Sequence, residues 1–122
     1  MAISKKIREQ VWLKYDKHCG YCGKNIEFKE MQVDHIIPVC YPPAWLEIKG
    51  LESHNDLKNL MPACRRCNHY KRATDLEGFR GSMKTIHERI RKDYLNKVAE
   101  DYGIIEVRPF DGVFYYEKHK SI

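Results

Sequence analysis

Two Cys-x-x-Cys pairs, Cys19-Gly-Tyr-Cys22 and Cys64-Arg-Arg-Cys67, constrain this chain more than any other feature. A Cys-x-x-Cys turn puts two sulfurs on one side of the backbone. Two such turns supply the four thiolates of a closed, tetrahedral zinc site. The pairs stand 41 residues apart, a longer interval than in a compact zinc ribbon. The metal is therefore expected to join two knuckles that flank an insert. The alternatives are two disulfides or four unmetallated, buried thiols. The segment from Met1 to Trp12 carries Lys5, Lys6, Arg8 and Glu9 and has no apolar stretch of the secretory kind. A reducing, cytoplasmic setting follows as the expectation, and there paired cysteines read as ligands before disulfides. The fifth cysteine, Cys40, is unpaired and is expected to act as a small buried hydrophobe.

A chain of 122 residues is expected to form one domain, residues 1–122, with little core to spare, so a structural metal would help it. No apolar stretch is long enough to span a membrane. The net charge of +5 is uneven: residues 1–75 carry +4 of it. The densest run, Lys58 to Arg72, has five positive residues and no carboxylate. Such a patch attracts polyanions, most commonly nucleic acid. The apolar positions Ile7, Val11 and Tyr15 predict a helix over 4–17 capped by Ser4. Short strands are predicted at 31–37 and at Leu57 to Met61, one helical turn at Ala44–Ile48, and a short helix from Arg65 to Arg72. Thr74-Asp75-Leu76-Glu77 fits a capping box. A longer helix is expected after Ser82, with Met83, Ile86, Ile90, Tyr94 and Val98 as its stripe and Gly103 as its terminator. A hairpin of Ile104–Val107 with Val113–Glu117 is expected to close the chain.

The residues between and beside the knuckles carry chemistry. Val33-Asp34-His35-Ile36 lies on the first predicted strand, where neighbouring side chains face opposite ways. That division suits metal-assisted hydrolysis, with one residue on an ion and the other on water. Asp34 offers a carboxylate oxygen and Asn68 an amide oxygen, donors that suit a hard ion such as Mg2+. A neutral His35 can accept a proton near pH 7. Each residue alone has a commoner structural use: Asp34 as a turn former, His35 as a packing group, Asn68 as a helix cap. Their joint placement around the cysteines is what points to a reaction centre.

The ordered pattern Cys-x-x-Cys, Val-Asp-His-Ile-Ile-Pro, then Asn-Leu-Met-Pro-x-Cys-x-x-Cys-Asn-x-x-Lys resembles the HNH endonucleases over residues 19–72. It is most similar to the small stand-alone members with a four-cysteine zinc site, found in phage and mobile elements. The resemblance implies a ββα-metal core stapled by zinc; with the N-terminal helix and the C-terminal helix plus β-hairpin over 73–122 that the residue pattern predicts, the expected fold is α+β. The resemblance also implies a metal-dependent endonuclease acting on DNA, with RNA left open, and a host-cytoplasm location for a phage-encoded chain. A packaging or restriction assembly is compatible with it as a partner. His35 matches the general base and Asp34 a ligand of a catalytic Mg2+ or Mn2+. Asn59 matches the residue bracing the loop between the strands, and Asn68 the second metal ligand, with His69 beside it as the alternative. Cys19, Cys22, Cys64 and Cys67 match the structural Zn2+ ligands. Lys71 matches a basic residue facing phosphates, and Arg65, Arg66 and Arg72 are further candidates for nucleic-acid binding. The insert from Val39 to Asp56 is longer than in many members and lacks their Gly-Gly; its His54 is expected on the surface. Two rival readings remain: a zinc-dependent nucleic-acid-binding module without catalysis, and a scaffold whose C-terminal third docks a partner.

Overall fold

Two four-residue strands and the helix that follows them organise the part of the molecule that holds the site. The structure is a computed structural model and describes residues 3–119. Strand β1, Gln32–His35, pairs antiparallel with β2, Leu60–Ala63, in the register Gln32↔Ala63 to His35↔Leu60. Strand β2 is buried throughout, so it reads as a continuous apolar run and not as an alternating one. Helix α3, Arg65–Lys71, begins one residue beyond β2. Its N-cap is Cys64, whose sulfur accepts from the Cys67 amide at 3.4 Å. The two strands and this helix form the ββα core.

The chain divides into two compact units, Met1–Leu76 with Phe114–Ile122, and Glu77–Val113. In the first, helix α1 spans Lys5–Leu13 and is capped by the Ser4 hydroxyl, which accepts from the Ile7 amide at 3.2 Å. It stops short of the expected residue 17 because Asp16 and Lys17 take positive φ, 51° and 66°. Lys14 then donates to the Leu57 and Leu60 carbonyls at 3.0 and 2.9 Å, tying this end to β2. The first knuckle lies against β2 through Gly20, whose amide donates to the Pro62 carbonyl at 2.8 Å. Any side chain at Gly20 would strike Met61. Gly23 turns the knuckle at φ 82°.

Between the strands lie helix α2, Pro43–Ile48, and a 3-10 turn, Leu57–Asn59. Pro43 at the first helical position needs no amide donor, and Leu46 anchors the helix inward. Asp56 caps the 3-10 turn by accepting from the Lys58 amide at 3.0 Å. That local bond takes Leu57, Lys58 and Asn59 out of the predicted strand, which starts at Leu60 instead.

The second unit holds most of α4, Leu76–Lys84, with α5, Ile86–Arg91, and α6, Tyr94–Asp101. The single long helix expected here is therefore three short ones. Ser82 lies inside α4 and caps nothing, and Asp93 breaks the run by going extended and accepting from the Leu95 amide at 2.8 Å. Gly103, at φ 74°, follows α6 as expected. The C-terminal hairpin is not formed. Residues 104–114 contain no strand, and Tyr115–Lys118 is a helix, α7, in the first unit. Carbonyls that a hairpin ladder would use are held by side chains: Arg80 takes that of Gly112 at 2.7 Å, and Arg91 that of Val107 at 3.1 Å. Glu117 accepts from the Phe114 amide at 2.9 Å and starts α7. Helix α7 docks on the first knuckle, with the Tyr115 and Tyr116 amides donating to the Tyr21 and Gly20 carbonyls. Among the described residues no helix is long and apolar enough to cross a membrane.

Candidate active site and metal centre

The four knuckle cysteines converge. The sulfurs of Cys19, Cys22, Cys64 and Cys67 lie within 4.8 Å of one another, and those of Cys22 and Cys64 are 3.9 Å apart. Tetrahedral zinc with bonds of about 2.3 Å needs sulfurs roughly 3.8 Å apart. A disulfide needs about 2.05 Å, and all of these cysteines are free. Hydrogen bonds from Cys19 and Cys67 hold Cys22 well below the ordinary thiol range. The same bonding pushes Cys19 and Cys67 the other way, above that range, through their hydrogen bonds to Cys22 and to Cys19; a metal takes each sulfur as thiolate and would displace those protons. The site is a four-cysteine metal-binding cluster, and its donor set fits zinc. Cys40 is exposed, not buried as expected, because it lies in the irregular segment after β1.

Asp34 sits on β1 and is buried. Its Oδ2 accepts from the Tyr21 hydroxyl and lies 3.2 Å from the Lys71 ammonium, which approaches Oδ1 at 3.4 Å. Lys71 is itself 1% exposed, and it also donates to the carbonyls of His35 at 3.3 Å and Thr74 at 2.8 Å. A buried ammonium needs such a set of oxygen acceptors. Burial pushes the Asp34 carboxyl above its usual range, and Lys71 and Tyr21 pull it back. Lys71 therefore does not face solvent phosphates as expected; the last turn of α3 carries it under β1 as the counter-ion of Asp34.

The His35 ring is half-buried, with Nε2 2.7 Å from Asn55 Oδ1. Asn59 is buried and binds backbone on two segments. Its Oδ1 accepts from the Ile37 amide at 2.8 Å; its Nδ2 donates to the carbonyls of Ile37 at 3.2 Å and His54 at 2.8 Å. His54 is half-buried, not a surface residue, and its ring bonds the Tyr41 carbonyl at 3.1 Å across the insert. Asn68 donates through Nδ2 to Gln32 Oε1 at 3.1 Å.

A cavity of about 330 Å³ gathers Asp34, His35 and Asn68, with Arg72 and Cys40 on its wall. Asp34 turns inward and His35 toward the insert, as strand alternation requires, yet both border this space at the end of β1. His69 does not join them. It is exposed and lines a separate cavity with Arg65 and Arg66. Tyr21, Gln32 and Asn55 escaped the sequence reading. Tyr21 carried a faint signal, an aromatic inside a Cys-x-x-Cys; the other two carried none.

Comparison with known families gives the pattern a name. Residues 19–74 match the HNH endonuclease family. The ββα fold with its four-cysteine cluster is HNH-type, consistent with that family. The chain is also similar to the CRISPR-associated endonuclease Cas9 of Corynebacterium diphtheriae, at 34% identity over 82 residues. That alignment covers 60% of this chain and 6% of the relative, so the chain spans a small part of that protein's length. No solved structure matches. The matched segment holds both the cysteine cluster and the cavity residues. Helices α4, α5, α6 and α7 all lie beyond it.

Proposed function

We propose that the protein is a metal-dependent endonuclease that hydrolyses phosphodiester bonds in DNA, with His35 as general base. The observation that supports this best is the meeting of Asp34, His35 and Asn68 around one cavity, with the His35 ring held by a single edge. An oxygen acceptor at Nε2 keeps the proton on that nitrogen and leaves Nδ1 with its lone pair. Nδ1 then takes the proton of an attacking water. Asp34 and Asn68 would hold a Mg2+ or Mn2+ ion through hard oxygen donors. When bound, that ion supplies charge stabilisation at the scissile phosphate. Arg72, exposed on the cavity wall, pairs with a phosphate oxygen. Asn59 keeps the insert and the end of β1 in register, and so positions the ring. Expected products carry 5′-phosphate and 3′-hydroxyl ends.

Plasmid cleavage by wild type and His35→Ala, with Mg2+, Mn2+ or chelator, tests this reading. Relaxed or linear product that needs both the ion and His35 is expected. Cleavage by the His35→Ala protein would remove His35 from the mechanism. Intact plasmid in every lane, with folded zinc-loaded protein bound to DNA, would make the domain a binding module.

A further inference from the structure

We propose that a second, larger cavity on the other flank of α3 binds the sugar-phosphate backbone of DNA beside the reaction centre, and that its cationic walls are the two metal knuckles. This deepens the nuclease reading and rests on it for the choice of DNA as the polyanion. The cavity has a volume of about 760 Å³ and is bordered by Lys24, Lys29, Arg65, Arg66, His69 and Gln32. Glu30 is its one carboxylate. Among the described residues, Lys24, Arg65 and Arg66 make no ion pair or side-chain hydrogen bond. Lys29 meets Glu27 at 3.8 Å with both groups exposed, a contact that contributes little. Four fixed cations facing one carboxylate in a concave space repel one another and concentrate anions. The charged lining is unlike the mostly apolar wall of a site for a small organic ligand.

The placement of these cations follows from the cysteines. Lys24 stands two residues after Cys22, and Arg65 and Arg66 are the two residues between Cys64 and Cys67. Closing the sulfur cluster brings both loops to the same cavity. Gln32 borders this cavity, Asn68 borders the smaller one, and the 3.1 Å bond between their amides links the two spaces. A strand crossing that link places its scissile phosphate by Asp34, His35 and Asn68, and its neighbouring phosphates among the knuckle cations. Contacts of this kind hold the backbone and read no bases.

The test measures affinity and needs no cleavage. His35→Ala protein is titrated onto a short DNA duplex, without added divalent ion, at several salt concentrations. Lys24→Glu/Lys29→Glu is compared with Lys6→Glu/Lys49→Glu, which changes net charge equally but lies off the cavity. The cavity pair is expected to lose about tenfold or more in affinity and to flatten the salt dependence by roughly one to two phosphate contacts. The control pair is expected to lose less than about threefold, because neither lysine borders either cavity and exposed charges away from the bound strand are screened by salt. Equal losses in the two variants, or none in the cavity pair, would overturn the site. Because this readout is binding, a failed site and a failed nuclease reading are separable.

Discussion

Asn55 shows what one amide can decide. Its oxygen lies 2.7 Å from His35 Nε2, and no other side chain bonds that ring among the described residues. Asn55→Ala should lower kcat about ten- to a hundredfold with KM little changed, as loss of an orienting partner does. Asn55→Asp should restore orientation while placing a carboxylate beside the ring. The Asp variant should therefore recover most of the kcat that the Ala variant loses. No recovery in the Asp variant would show that the ring does not depend on this contact. Nothing in the sequence marks Asn55, because its value comes from how the insert folds back onto β1. Asp34, His35 and Asn68 were legible through their order around the cysteines, and they border one cavity. Lys71 was legible as a basic residue but not as a buried one. Helical periodicity alone does not say that the last turn of α3 dips under the sheet.

Secondary-structure elements were readable where their signals are local. Ser4 before α1 and the cysteines before α3 both act within a turn of themselves. The stripe from Met83 to Val98 misled because apolar spacing continues across a break imposed by Asp93. The closing hairpin misled for another reason: alternation in sequence cannot reveal that Arg80 and Arg91 hold carbonyls needed for pairing. Asn59 is the element-scale device that was visible. Its three bonds fasten the exit of β1 to the entry of β2. Asn59→Ala strands the buried Ile37 amide, at a cost of about 1–3 kcal/mol. Thermal unfolding should shift down by several degrees, on the scale of about 4–8 °C per kcal/mol for a small domain. Cleavage should fall, while zinc content stays at wild-type level. An unchanged melting point together with unchanged cleavage would reduce Asn59 to an ordinary loop residue.

At the scale of the whole molecule, a two-stranded sheet is a weak framework without further support. The four-cysteine cluster joins segments 41 residues apart and holds both ends of the core. Zinc stripped by a strong chelator should therefore lower the melting temperature by more than about 10 °C, given the 10–16 kcal/mol that structural zinc contributes in small domains. DNA cleavage should vanish with it, and should return on adding Zn2+ but not on adding Mg2+ alone. Metal analysis should find one zinc per chain, and a metal-free protein melting at the wild-type temperature would refute the staple. This centre was the most legible feature of all, because its spacing is written in the covalent chain. Arg65 and Arg66 stand between two of its ligands. Loss of the ion is therefore expected to free those guanidinia from their places. If the chain is the nuclease proposed above, a cell starved of this trace metal would hold a protein that loosens and lets go of DNA in one event, so scarcity itself would disarm it before it could cut astray.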